Sequence, residues 1–183
     1  MVLNSITYFL KPFILVVVLC SFNNEYSHWL NKSGLKKLEK SIFKTWGTAE
    51  VSQISIPLST DIKKRLNMKS NSLYKLSVNE EFKGYLFLDT QRSKFDTFDY
   101  MVILNKDLSI KKVDILVYRE AYGSEICSKV FLKQFHDKTY QSKIKIGDDI
   151  QGISGATISC RAAANGIKML TKKAVLLKDE GYI

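Results

Sequence analysis

The chain has little of what would make it a metal protein, a linker protein or a repeat. It contains two histidines, two prolines and three cysteines in 183 residues. Two prolines exclude a long proline-rich linker. His28 and His136 stand alone, and Cys20, Cys127 and Cys160 show no paired spacing, so no zinc or haem ligand set can be read. No metal ligand is therefore named. There is no internal repeat and no low-complexity segment. Uninterrupted apolar sequence is also short. After Pro12 it runs for about ten residues, against the ~20 that a spanning helix uses.

Acidic residues are the next shortage. Lys and Arg number 28 against 18 Asp and Glu, a formal net charge of +10. Such a balance suits a polyanion, but the lysines are spread along the whole chain and no nucleic-acid motif accompanies them. Nucleic acid is not expected. An anionic membrane surface or an acidic redox partner fits the charge better, and a solvated lysine-rich surface fits equally well.

At the N-terminus, Tyr8 to Phe22 is apolar apart from Lys11, Pro12 and Ser21. Its length matches a signal-peptide core of about 7–15 residues, with Lys11 as the positive flank. No small-x-small cleavage site follows, and Leu19 is bulky for a lipoprotein pattern at Cys20. An uncleaved anchor over residues 6–22, with Lys11 reaching the interface, is the third form. Residues 1–22 are thus expected to be a signal peptide or membrane anchor. Residues 23–183, about 160, are expected to be one domain outside the cytoplasm, in the cell envelope. Cys127 and Cys160 suit either one disulfide or two reduced thiols.

Leu35, Leu38, Ile42 and Trp46 recur at helical spacing, with lysines between them, and Gly47 ends the pattern. Thr60–Leu66 reads as a short capped helix. Leu73, Phe82, Tyr85–Leu88, Tyr100–Leu104 and Val113–Tyr118 read as strands. Asn105-Lys106-Asp107 is the turn of a hairpin, and Glu80 to Gly84 marks a second hairpin tip. Ser124 is expected to cap a helix through Phe135, and Lys143–Ile146 to be a short extended piece. An Ala-rich helix is expected from about Ser159 to Leu177. The sum is an α+β domain, a mostly antiparallel sheet with helices packed on it.

The most informative stretch is Gly152-Ile153-Ser154-Gly155-Ala156-Thr157-Ile158-Ser159. A Gly-rich turn opening a helix presents unpaired backbone N–H groups and the positive end of the helix dipole, a ready site for phosphate. The plain alternative is a loop-to-helix junction with a Ser or Thr N-cap.

Ser154-Gly155-Ala156-Thr157, flanked by Ile153 and Ser159, resembles the attachment motif of the FMN-binding domain family. That family includes the small flavin-carrying components of sodium-pumping NADH:quinone reductases and related electron-transport flavoproteins. Tyr118 to Ile126, with Glu120 and Gly123, resembles the strand and turn that lie close to the flavin there. Residues 118–170 carry nearly all of the likeness, and residues 23–73 match nothing recognisable. The resemblance implies FMN as cofactor, esterified through its phosphate to Thr157 by a dedicated flavin transferase. Ser154, Gly155 and Ala156 would shape the turn, and the Ser154 and Ser159 hydroxyls would add donors. Tyr118, Tyr122 and Ile153 are candidates to pack on the ring, near Glu120 and Gly123. Gln151 stands where relatives often have an acidic residue, with Asp148 and Asp149 upstream, so a non-covalent flavin is the neighbouring alternative.

The role implied is electron transfer between a membrane redox complex and a later acceptor. Two other classes stay open. One is a flavin reductase with its own small substrate, using His136 or Glu120 as proton donor. The other is a membrane-anchored module without flavin that binds a partner through its basic face. Catalysis by Cys160, a thiol near a helix start, lacks a visible His or Asn partner.

Overall fold

The computed structural model of the protein describes residues 30–47 and 51–183. The leader expected over residues 1–22 lies outside the described residues, as does His28. Among the described residues, no helix is long and apolar enough to cross a membrane.

Five strands form one antiparallel sheet in chain order: β1 (Val51–Ser55), β2 (Leu73–Val78), β3 (Glu81–Arg92), β4 (Thr97–Asn105) and β5 (Ile110–Tyr118). Together with the helices below, this is the expected α+β fold. The interior strand β4 is buried on both faces, which explains its nearly continuous apolar run. Phe98, Tyr100, Val102 and Leu104 enter one core, while Met101 and Ile103 enter the other. β1 was not legible because its pattern is weak: Ile54 is 61% exposed on an edge strand.

The hairpin at Asn105–Asp107 forms as expected, with the Asp107 carboxylate accepting from the backbone N–H and hydroxyl of Ser109. The tip between β2 and β3 sits earlier than Glu80–Gly84 suggested. Asn79 and Glu80 take φ of 50° and 66°, and Glu81–Gly84 belongs to β3. Gly84 signalled a turn but lies opposite Leu76, beside the irregularity between Leu76 and Ser77.

Helix α1 (Lys32–Trp46) starts at an Asn31 cap and ends at Gly47. It buries Leu38 and Ile42 on one face of the sheet, against Tyr74, Leu86 and Met101. Each such buried aliphatic side chain contributes roughly 1.5–3 kcal/mol. Helix α2 (Thr60–Leu66) is capped by Ser59, whose hydroxyl accepts from the Ile62 N–H.

The opposite face carries a 3-10 turn (Ser124–Cys127), α3 (Lys129–Lys133) and α4 (Thr157–Asp179). Two expectations need correction here. Ser128, not Ser124, caps α3, accepting from the Phe131 N–H at 3.3 Å, and the helix stops at Lys133 instead of reaching Phe135. Lys143–Ile146 is not a strand: Ile144 takes φ of 41° and Ile146 makes only an isolated bridge to Ile150. Helix α4 begins two residues before the expected Ser159. It packs Cys160, Ala163, Ala164, Ile167, Leu170, Ala174 and Leu177 onto the sheet.

Candidate functional site

The chain reaches α4 through a tight turn, with the Ala156 N–H donating to the Ile153 carbonyl at 3.1 Å. Gly155 takes φ of +81° there, and a Cβ at this position would meet nothing within 4 Å. Conformation alone therefore calls for glycine. Ala156 occupies the N-cap, is 2% exposed and offers no side-chain oxygen. An Ala in place of Ser, Thr, Asp or Asn costs a helix about 1 kcal/mol. The first helical bond is Cys160 N–H to the Ala156 carbonyl at 2.8 Å. Among the described residues, the N–H groups of Thr157, Ile158 and Ser159 find no acceptor. Ser154, Gly155, Thr157 and Ile158 are exposed at this helix start. A 23-residue helix thus opens on three unsatisfied donors, a small residue at its cap and a free hydroxyl. That donor set suits an external anion.

The approach to the turn is fastened. Gln134 clamps the backbone of Gln151, accepting from its N–H at 2.7 Å and donating to its carbonyl at 3.2 Å. Asp149 accepts from Lys138 Nζ at 2.9 Å and from the backbone N–H groups of Lys145 and Ile144. Partial burial pushes its carboxyl up, but the Lys138 bond, those two backbone bonds and the Lys138 charge together hold it down at about 2. Asp148 pairs with Lys143 at 3.1 Å. Both upstream carboxylates are thus engaged within this loop.

Beneath the start of α4 lies a knot of hydroxyls. Ser159 is buried, with its Oγ 3.0 Å from Ser93 Oγ and 2.9 Å from Tyr118 Oη. Tyr118 also donates to the Tyr122 carbonyl at 2.6 Å. Burial is the first cause that raises the Tyr118 phenol above its ordinary value, so it stays protonated at neutral pH. Gly123 closes the knot. Its φ is +83°, and a Cβ there would lie 2.4 Å from Ser159 Oγ and 2.8 Å from Tyr118 Oη. Here both conformation and space require glycine.

Glu120 performs a separate task. Its carboxylate accepts from the N–H groups of Phe95 and Asp96 at 2.8 and 3.0 Å. The Asp96 bond is the first cause that lowers its pKa. Glu120 thereby ties the loop after β5 to the loop between β3 and β4. Arg119 pairs with buried Asp99 and donates to the Thr97 carbonyl.

Three large apolar side chains stand open on the segments joined by this knot: Phe95 (69% exposed), Tyr122 (79%) and Ile158 (49%). Lys94 Nζ lies 4.7 Å from the centre of the Phe95 ring. Arg161 is exposed on α4, four residues after Thr157 and on the same helix face.

The structure therefore brings Tyr118, Gly123 and Ser159 into contact, with Glu120 fastening the neighbouring loop. Ser154, Gly155, Ala156 and Thr157 form the rim at the head of α4. Ile153 is half-buried and packs against the main core. The Ser159 hydroxyl faces Ser93 and Tyr118; its backbone N–H remains at the helix start. Ser93, Phe95 and Arg161 escaped the sequence reading. Ser93 and Phe95 lie in a polar loop with no pattern of its own. Arg161 was detectable from its spacing of four from Thr157. His136 lies elsewhere, lining a cleft beside α3 and paired with Asp137 at 2.9 Å. Cys127 and Cys160 are unpaired. Cys160 is fully buried, and burial is the first cause that pushes its thiol up, which opposes a nucleophilic role.

Two comparisons complete the picture. Residues 95–172 match the FMN-binding domain family, a span that holds β4, β5, the start of α4 and all of the hydroxyl knot but Ser93. No curated protein matches the chain.

Proposed function

We propose that the FMN-binding domain of residues 95–172 carries FMN at the head of α4, esterified through its phosphate to Thr157. In this reading the protein is an electron carrier on the outer face of the cytoplasmic membrane, linking a membrane redox complex to a later acceptor. The supporting observation is the uncapped start of α4. Three free backbone donors and the exposed Thr157 hydroxyl meet there, inside the matched segment.

FMN supplies the redox chemistry when bound; the chain supplies position and charge. The N–H groups of Thr157, Ile158 and Ser159 would receive the phosphate, and Arg161 would add a cation one turn along. Esterification forms a bond from Thr157 Oγ to phosphorus as the hydroxyl proton and the leaving group of an activated flavin donor depart. Phe95, Tyr122 and Ile158 offer apolar surface to a ring. Glu120, ionised and bonded to two backbone N–H groups, is spent on loop structure and holds no proton to donate. Together with the remote placement of His136, this disfavours a reductase with its own substrate.

A second reading, non-covalent FMN in the same place, has its own observation. Gln151 supplies no carboxylate, and Asp148 and Asp149 are both held by lysines.

Denaturing gel electrophoresis tests these readings after export alongside a flavin transferase. Covalent attachment predicts a flavin-fluorescent band that disappears in Thr157→Ala. A dark band with flavin released into the supernatant selects the non-covalent form. A protein that never holds flavin refutes both.

A further inference from the structure

Lysines that looked scattered in the sequence converge in space. A cleft of about 740 Å³ runs between α1 and α3. Its floor is β5 from Lys111 to Asp114, with Val113 and Leu132 as apolar lining. Eight lysines line it. Lys36, Lys40 and Lys44 come from α1, Lys111 from β5, and Lys129 and Lys133 from α3. Among the described residues, Lys112 is the one of the eight that meets a carboxylate, Asp114 at 3.6 Å. Asp114 is further held by the Ser41 hydroxyl.

β5 is an edge strand. Ile110 exchanges hydrogen bonds with the backbone of Asp137 and Lys138. Beyond Ile110, among the described residues, no backbone group outside the sheet bonds to this edge. The floor of the cleft is therefore a row of backbone donors and acceptors with cations on both sides.

We propose that this cleft binds an extended acidic segment of a partner protein, which adds to the edge of β5 as a further strand. In an added strand, successive side chains point to opposite faces of the sheet. Its carboxylates would meet the α1 lysines and the α3 lysines in alternation, while its backbone pairs with Lys111–Asp114. Edge lysines also deter unwanted pairing. Guarding an edge does not need like charges massed from three elements in one cleft. Such self-repulsion is relieved by an anionic occupant. The cleft is concave, so a flat bilayer would reach its rim and not its floor. Among the described residues no Phe, Tyr or Trp lines it and His136 is its one ring, so a nucleic acid would find no run of stacking platforms. The proposal holds whether or not Thr157 carries flavin.

The test uses the full-length protein in neutral detergent and a fluorescent octaglutamate peptide, read by anisotropy. A second octaglutamate carries an N-methyl group at every position, which keeps the charge and blocks backbone pairing on both edges. The parent peptide should bind. Lys36→Glu/Lys40→Glu should weaken it tenfold or more, and so should Lys129→Glu/Lys133→Glu, which keeps the test available if the first variant misfolds. Lys172→Glu, on exposed α4 surface away from the cleft, should change nothing. The fully methylated peptide should bind at least tenfold more weakly than the parent. Indifference to the cleft reversals, or equal binding by the parent and the fully methylated peptide, overturns the proposal. Tighter cleft-dependent binding of phosphatidylglycerol vesicles or of oligothymidylate overturns it in favour of a membrane or a nucleic acid.

Discussion

Replacing Gly123 and Gly155 by alanine, one at a time, separates two reasons for glycine at the site. Their φ angles are nearly equal, +83° and +81°. Holding an alanine in the left-handed region costs about 1 kcal/mol at either position. At Gly155 the new methyl meets nothing within 4 Å, so about 1 kcal/mol is the whole expected loss. At Gly123 the methyl would sit 2.4 Å from Ser159 Oγ and 2.8 Å from Tyr118 Oη. Either the first turn of α4 shifts or the hydroxyl knot opens. Overpacking of this kind costs about 1–3 kcal/mol, and each lost hydrogen bond adds about 1 kcal/mol. Gly123→Ala should therefore lose roughly 3–5 kcal/mol, at least 2 more than Gly155→Ala. Urea unfolding followed by circular dichroism measures both. Adding Ser159→Ala to Gly123→Ala should recover part of the loss, because the nearest clashing atom is gone, and a double-mutant cycle isolates that coupling. Equal losses for the two glycine variants, or no coupling to Ser159, would refute the packing described at the base of the site.

The head of α4 and its approach loop give two further expectations. Arg161→Ala should weaken retention of added FMN by about tenfold, the value of one charge-assisted phosphate contact, while urea stability stays within about 0.5 kcal/mol, as for an exposed substitution; unchanged flavin affinity would remove Arg161 from the site. Asp149, held at about 2 against an ordinary 3.8, binds protons less readily folded than unfolded. Its stabilisation is present above about pH 4 and lost as pH falls towards 2. The shift corresponds to about 2 kcal/mol, and about 1 kcal/mol after solvent screening. Asp149→Asn should cost about that much at neutral pH and flatten the stability profile between pH 4 and 2, read by unfolding at each pH; a profile parallel to wild type would exclude Asp149 as the cause.

Much of the fold was legible where a periodic pattern met a clean stop. α1 combined a helical apolar stripe with Gly47, and β4 and β5 combined β-branched and aromatic runs with an Asn-Lys-Asp turn. The errors arose where local signals competed. Ser124 and Ser128 are both plausible caps, and the tertiary fit of Phe131 and Phe135 in the core chose Ser128. The glycine at 84 pointed to a turn, yet Asn79 and Glu80 took the positive φ values. The site motif was visible because the α4 turn is contiguous. What lies beneath it was not. Ser93 reaches Ser159, and Glu120 reaches Phe95 and Asp96, only after β3, β4 and β5 are assembled. Glu120 was marked for its place near the flavin, whereas its contacts in the structure are with the loop. The lysine cleft was hidden for the same reason, since residues 36–44, 111–112 and 129–133 meet only in three dimensions.

The central claim is that Thr157 itself bears the flavin. Its most direct measurement is mass mapping of the exported, transferase-treated protein after tryptic digestion. The fragment spanning residues 146–161 contains Ser154, Thr157 and Ser159. The account predicts that this fragment alone gains the mass of an FMN phosphoester, that fragmentation assigns it to Thr157, and that Thr157→Ala abolishes it while Ser154→Ala does not. An unmodified fragment from protein that nevertheless retains flavin, or an adduct on Ser154 or Ser159, would contradict it.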